Sequence, residues 1–332
     1  MAANYSFKRL ISNHIFDAMK GTSAFYRVFI YIGLLSFFSC TDAPQRESHY
    51  LHTEISSAKA LLASRFENLD ALNQLVDFDY NQQENDTAYS PKSKVILSYN
   101  DGFREIKSVL SYGITQKDLT DAKNASLLEK IQVVTQSPYA IRHREELKGV
   151  FKLARRRYAE FKVGDVAFFD IAEAMQRNID VSPNAFAIAK DSSEKGYVNT
   201  FNHVNGQALI TALFSENLAD FIADVHELHY MPQLTTGHFT QEQLLDTLNY
   251  PVDNYIDLIN NEIGQELGNQ LRQKYQLTPT TYWSPMLLTN VLNDLQNYYM
   301  KSFHIWMKPF NQEDKLIHRY ASKINVVLAQ TR

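Results

Sequence analysis

Apolar residues recur at steps of three and four along most of this chain, and few segments alternate with period two. Such spacing places a stripe on one face of a helix, whereas a half-buried strand needs alternation. Helices are predicted over about 45–80, 100–111, 117–133, 143–161, 165–179, 198–214, 216–229, 252–276, 284–307 and 311–329. Gln45–Tyr80 is the longest, marked by Leu51, Ile55, Ala58, Leu62, Phe66, Leu69, Leu72 and Val76. Asn81–Lys94 reads as a polar loop. Val198–Phe214 is apolar in nearly every direction, so other helices must surround it. Only 11 Gly and 9 Pro in 332 residues also favour helix over a turn-dense β fold. The expected fold is all-α, a multi-helix bundle without internal repeats.

Charge narrows the partners. The formal net charge is −4, and residues 1–39 contribute +3 (Lys8, Arg9, Lys20 and Arg27 against Asp17), leaving −7 on the body. Nucleic-acid binders show a basic face, so no nucleic-acid partner is expected. Arg155-Arg156-Arg157 is the local exception, and reads as a solvated face.

The N-terminus reads as an address. From Met19, which offers a better start than Met1, a basic stretch leads into apolar Val28–Phe38 and then Ser39-Cys40. That apolar run is shorter than the roughly 20 residues a membrane-spanning helix requires. With a small residue before the chain's only cysteine, the segment resembles the bacterial lipoprotein signal. The resemblance implies that residues 1–39 are a cleaved signal peptide and that Cys40 carries lipid holding the protein on a membrane. Thr41 after the cysteine points to the outer membrane by the enterobacterial rule. Residues 40–94 would then be the lipidated N-terminus, amphipathic helix and polar loop, and 95–330 the helical domain. An envelope protein or a glycan is a candidate partner for such a body.

Three segments carry the chemistry: Asn199-Thr200-Phe201-Asn202-His203, Ala223-Asp224-Val225-His226-Glu227 and Asp257-Leu258-Ile259-Asn260-Asn261-Glu262-Ile263-Gly264. His203 and Gln207 share a helix face at i, i+4. Asp257, Asn260, Asn261, Gly264 and Gly268 form a polar stripe, whose two glycines suit close approach by another helix. In the middle segment Leu218, Phe221, Ile222 and Val225 mark the core side, Asp224 and His226 flank it, and Glu227 points away. The order of the three segments, over about residues 190–270, resembles an uncharacterised helical domain of secreted and surface-associated bacterial proteins. Its usual pattern is Asp-Ala-Phe-Arg-His, Ala-Asp-Ala-His-Glu and Asp-Leu-His-Asn-Asn-x-x-Gly-Arg. The chain departs from it at Asn199, Asn202, Ile259 and Gln265, losing both arginines, and the resemblance implies a fold and candidate residues rather than a reaction.

Three readings of His203, Gln207, Asp224, His226, Glu227, Asp257, Asn260 and Asn261 stay open. One is a buried hydrogen-bond network tying helices together, the work of a scaffold or interaction protein. Another is a hydrolase, either acid–base or dependent on one divalent metal held by His203, Asp224 and Asp257, with Glu227 as a further carboxylate and Asn260 and Asn261 positioning substrate. The third is a ligand pocket without chemistry. His226-Glu227-Leu228-His229 lacks the i, i+4 histidines of a zincin helix, and there is neither a Gly-x-Ser-x-Gly nor a P-loop. Tyr298, Tyr299, Phe303 and Trp306 read as core rather than as a sugar platform.

Overall fold

A computed structural model describes residues 54–81, 93–121, 137–180, 185–246 and 250–332. The expected signal peptide, Cys40, the start of the first helix and most of the polar loop lie outside these residues. The architecture is mostly helical, with one small antiparallel sheet. The longer helices are α1 (Arg144–Ala154), α2 (Phe168–Asn178), α3 (Tyr197–Leu213), α4 (Glu216–Tyr230), α5 (Pro251–Lys274), α6 (Pro285–Phe303) and α7 (Lys315–Thr331). Short helical turns at Leu69–Asn73, Gln116–Asp121 and Pro138–Arg142 accompany them. No helix among the described residues is long and apolar enough to cross a membrane.

Two expectations fail at the N-terminal side. The described part of 45–80 is not one helix: the chain is extended from 54 to 62, makes a turn of helix at Leu69–Asn73, and enters strand β1 (Val76–Asn81). Its extended backbone finds partners in distant side chains instead of in a helical ladder. Ser56 N–H donates to Gln270 Oε1, Lys59 N–H to Asp101 Oδ2, Ala60 N–H to Ser302 Oγ and Leu61 N–H to Asn260 Oδ1. The expected helix at 100–111 is instead a hairpin, β2 (Lys94–Asn100) and β3 (Glu105–Ser111). Val95, Leu97 and Tyr99 face inward on β2, and Ile106, Ser108 and Leu110 on β3. β2 is central, pairing Val76 with Tyr99 on one side and Val95 with Leu110 on the other. Gly102 supplies the turn at φ +90°, while Asp101 Oδ1 accepts from the Phe103 and Arg104 N–H groups.

From α2 onward the helices fall close to their expected spans. Ser215 caps α4 by accepting from Leu218 N–H, and Ser284 caps α6 by accepting from Leu287 N–H. Pro251 and Pro285 occupy first-turn positions, where no N–H is missed. α3 is buried on nearly all sides, as its composition requires, and α5 is the other central helix. Tyr298 and Tyr299 are core: their hydroxyls donate to Ala58 O and Asn205 Oδ1.

Candidate functional site

The site begins with two glycines. On Gly264 a methyl group would sit 2.5 Å from the Val204 carbonyl oxygen, and on Gly268 2.6 Å from that of Ala208. No side chain fits there, so α5 lies against the backbone of α3. Residues spaced by four on each helix then meet as a ladder. Lys195, just before α3, pairs with Asp253 on α5. Asn199 Nδ2 donates to Asp253 Oδ1 (3.1 Å) and Asp257 Oδ1 (2.9 Å). His203 Nε2 lies 3.3 Å from Asp257 Oδ2, and its Nδ1 lies 3.0 Å from Asn261 Oδ1.

α4 brings the third carboxylate. Glu227 is buried, not directed away from the core as its position relative to the large apolar residues indicated. The reason is a second buried stripe on α4, made of Ala219 and Ala223, with Glu227 next in the i, i+4 series. These small side chains let a neighbouring helix approach closely. Glu227 hydrogen-bonds to the Asn261 side chain, while its Oε1 has no partner among the described residues. His203, Glu227 and Asp257 each offer a ligand atom, all within 4.8 Å of one another.

Asn261 decides the state of the imidazole. The Glu227–Asn261 hydrogen bond favours the ionised carboxyl, so Asn261 gives Glu227 its Nδ2–H and turns Oδ1 toward His203. His203 must therefore donate from Nδ1, and in the neutral ring Nε2 is left as a bare lone pair facing Asp257. Between that lone pair and an ionised carboxylate something positive is needed, a proton or a cation. Burial, first of all, pushes the Asp257 carboxyl up to about 7, and it raises Glu227 as well, with Asp257 and Asp253 as the next contributors.

The other expected residues separate from this cluster. Asp224 does not join it, and Glu227 takes its place. Asp224 is pushed up to about 8 by burial, then by Asp220 and Glu262. Asn260 is committed elsewhere, pairing Oδ1 and Nδ2 with Leu61 N–H (3.0 Å) and C=O (2.9 Å), so it pins the extended segment rather than a substrate. His226 sits with its ring centre 6.3 Å from that of His203 and its Nδ1 3.4 Å from Gln116 Oε1. Burial lowers its pKa to about 3, so it is neutral. Gln207 is buried, and its Oε1 finds no partner among the described residues. Lys195 and Asp253 belong to the ladder but were missed, although each lies one i, i+4 step from a residue already in view.

A cavity of about 500 Å³ opens on the other side of His203. Its walls come from α1, α3, α4 and the turn at Pro138–Arg142, with Phe168 of α2. His203, Gln207, His226 and Asn261 line it, but Glu227 and Asp257 do not. His203 and Asn261 thus belong to both the cavity wall and the buried cluster. Arg155 lines the cavity as well, half-buried over the Phe151 ring at 5.0 Å, and is no solvated surface residue. Arg156 pairs with Asp170. Of the arginine run only Arg155 turns into the cavity, and Arg156 remains exposed as expected.

No family model matches the chain, and neither a curated protein nor a solved structure matches it.

Proposed function

We propose that this is a lipid-anchored protein of the bacterial envelope whose helical body is a metal-dependent hydrolase centred on His203, Glu227 and Asp257. The observation that carries the catalytic part is the Asn261 bridge, which directs the bare Nε2 of His203 at carboxylates. Zinc bonds of about 2.0–2.2 Å put tetrahedral neighbours roughly 3.3–3.6 Å apart. The His203–Asp257 separation of 3.3 Å meets that spacing. A metal-bound histidine ordinarily donates its other N–H to a fixed acceptor, the part Asn261 plays here. Three protein ligands would leave a position for water, whose pKa the ion would lower, and the cavity shares His203 and Asn261 with the cluster. The lipid anchor rests on Val28–Phe38 followed by Ser39-Cys40, and its test is fractionation: Cys40→Ala should move the protein from membrane to soluble fraction. Retention on the membrane after a high-salt wash would refute the anchor.

A thermal-shift series with Zn²⁺, Mn²⁺, Ca²⁺ and Mg²⁺, with and without chelator, tests the metal. At 100 times its Kd an ion should stabilise the wild type by about 2.7 kcal/mol. Glu227→Gln and His203→Ala should lose that shift. If no ion shifts the wild type and chelator changes nothing, the metal reading fails. The scaffold reading would then stand, favoured by Asn260, which spends its whole amide on Leu61.

A further inference from the structure

The cavity has a charge pattern opposite to that of the body. Arg144, Lys148 and Arg155 line it, and no carboxylate does so among the described residues. Arg144, Lys148 and Phe151 fall on one face of α1 at steps of four and three, and Arg155 is the extended residue just past its end. Arg144 and Lys148 are both paired with Glu145. Arg155 forms no ion pair with a carboxylate among the described residues, whereas Arg156 has Asp170 and Arg157 has Glu160. A half-buried guanidinium without a counter-ion has given up water, and the Phe151 ring beneath it replaces only part of what water supplied. Most of the remaining wall is apolar, with Ile141, Val150, Phe168, Ile210 and Phe221 among its residues, and His203, Gln207, His226 and Asn261 gather on the side of the buried cluster. The volume falls within the roughly 300–1,000 Å³ typical of small-molecule sites.

We infer that this cavity binds an amphipathic monoacid, a hydrocarbon chain ending in a carboxylate, with the chain among Val150, Phe168 and Ile210 and the carboxylate on Arg155. The planar guanidinium matches a carboxylate through two parallel hydrogen bonds. An apolar chain gains from every methylene withdrawn from water, so affinity rises with chain length until the cavity is full. This deepens the hydrolase reading by naming its substrate class as acyl compounds. It rests on that reading only for what happens to the ligand, not for its binding.

The test uses the full protein, stripped of metal by chelator and titrated calorimetrically with decanoate and 1-decanol below their solubility limits. Decanoate should bind saturably, one molecule per chain, and decanol about tenfold more weakly, the ratio expected when a charge-assisted hydrogen bond is lost. Arg155→Gln should erase that ratio. Gly206 lines the cavity, and a methyl group there would meet only Phe168, at 3.6 Å. Gly206→Leu can therefore grow into the cavity and should abolish binding of both probes in a protein that still melts cooperatively. Equal affinity for the two probes, no saturable binding, or undiminished binding by Gly206→Leu would each overturn the inference. The comparison of two probes on the wild type needs no variant. Glu227→Gln, which disables the metal site, should still bind decanoate. Binding without any metal shift would sink the hydrolase and keep the ligand. A metal shift without binding would do the reverse.

Discussion

Two of the buried ionic clusters among the described residues differ in how completely their valences are met. Lys323 on α7 and Asp165 are each 2% exposed at the side chain. The ammonium spends its three protons on Asp165 Oδ2 (2.8 Å), Arg155 O (2.9 Å) and Val166 O (2.7 Å). Asp165 also accepts from the backbone N–H groups of Arg157 and Val166. One positive charge meets one negative charge and every donor is placed. At the other cluster Asp253, Asp257 and Glu227 face one lysine and one histidine, and a Glu227 oxygen has no partner among the described residues. Burial and charge are common to both. Unmet valence distinguishes a site from a strut, because a strut gains nothing by leaving a buried acceptor unpaired.

The largest expected effect tests the strut. Lys323→Met leaves Asp165 buried without its counter-charge, a loss of about 3–5 kcal/mol. Glu227→Gln should instead leave stability unchanged or raise it, because it replaces a carboxyl that burial already disfavours as an anion. Urea unfolding of both variants measures the difference. A Lys323→Met protein as stable as wild type, or a Glu227→Gln protein as damaged as Lys323→Met, would erase the distinction between the clusters.

The strut and the site were unequally legible in the sequence, and so was the fold around them. α3, α4 and α5 follow from apolar spacing, and Gly264 and Gly268 read as points of close approach before any coordinates. The sheet did not follow. Leu69, Leu72 and Val76 fit a helical stripe as well as they fit a turn of helix entering a strand. On β3 the inward Ser108 interrupts the apolar alternation. Asp101-Gly102 was nonetheless a hairpin signal in plain view. Glu227 does not follow from the large apolar residues of α4, because Ala219 and Ala223 carry the closer packing. The cavity had no local signature, since its walls come from residues near 140–155, 202–210 and 221–226. Nor did Lys323 and Asp165, which are 158 residues apart.

The smallest expected effect is a slope with pH, and its sign separates metal from proton. Asp257 is pushed up to about 7, and Glu227 is raised as well, so the folded protein holds protons the unfolded chain has released above about pH 4. The Asp257 contribution is fully present below its unfolded pKa and is lost as pH rises through about 7, and that of Glu227 has the same sign. Asp224 (about 8), Glu262 (about 7) and Asp220, also raised, act in the same direction. His226, lowered to about 3, opposes them, but only below its unfolded value of about 6.5. Between pH 6.5 and 8 the metal-free protein should therefore lose melting temperature. Asp257→Asn should remove part of that slope, at most about 1.4 kcal/mol per pH unit for one proton. A bound divalent ion needs the same carboxylates ionised, so its stabilisation should grow over the same interval. Thermal melts across that window, with chelator and then with the ion that shifts the wild type, read both signs. A metal shift that shrinks toward pH 8 would place the ion elsewhere, and this cluster would join Lys323 and Asp165 as a second strut.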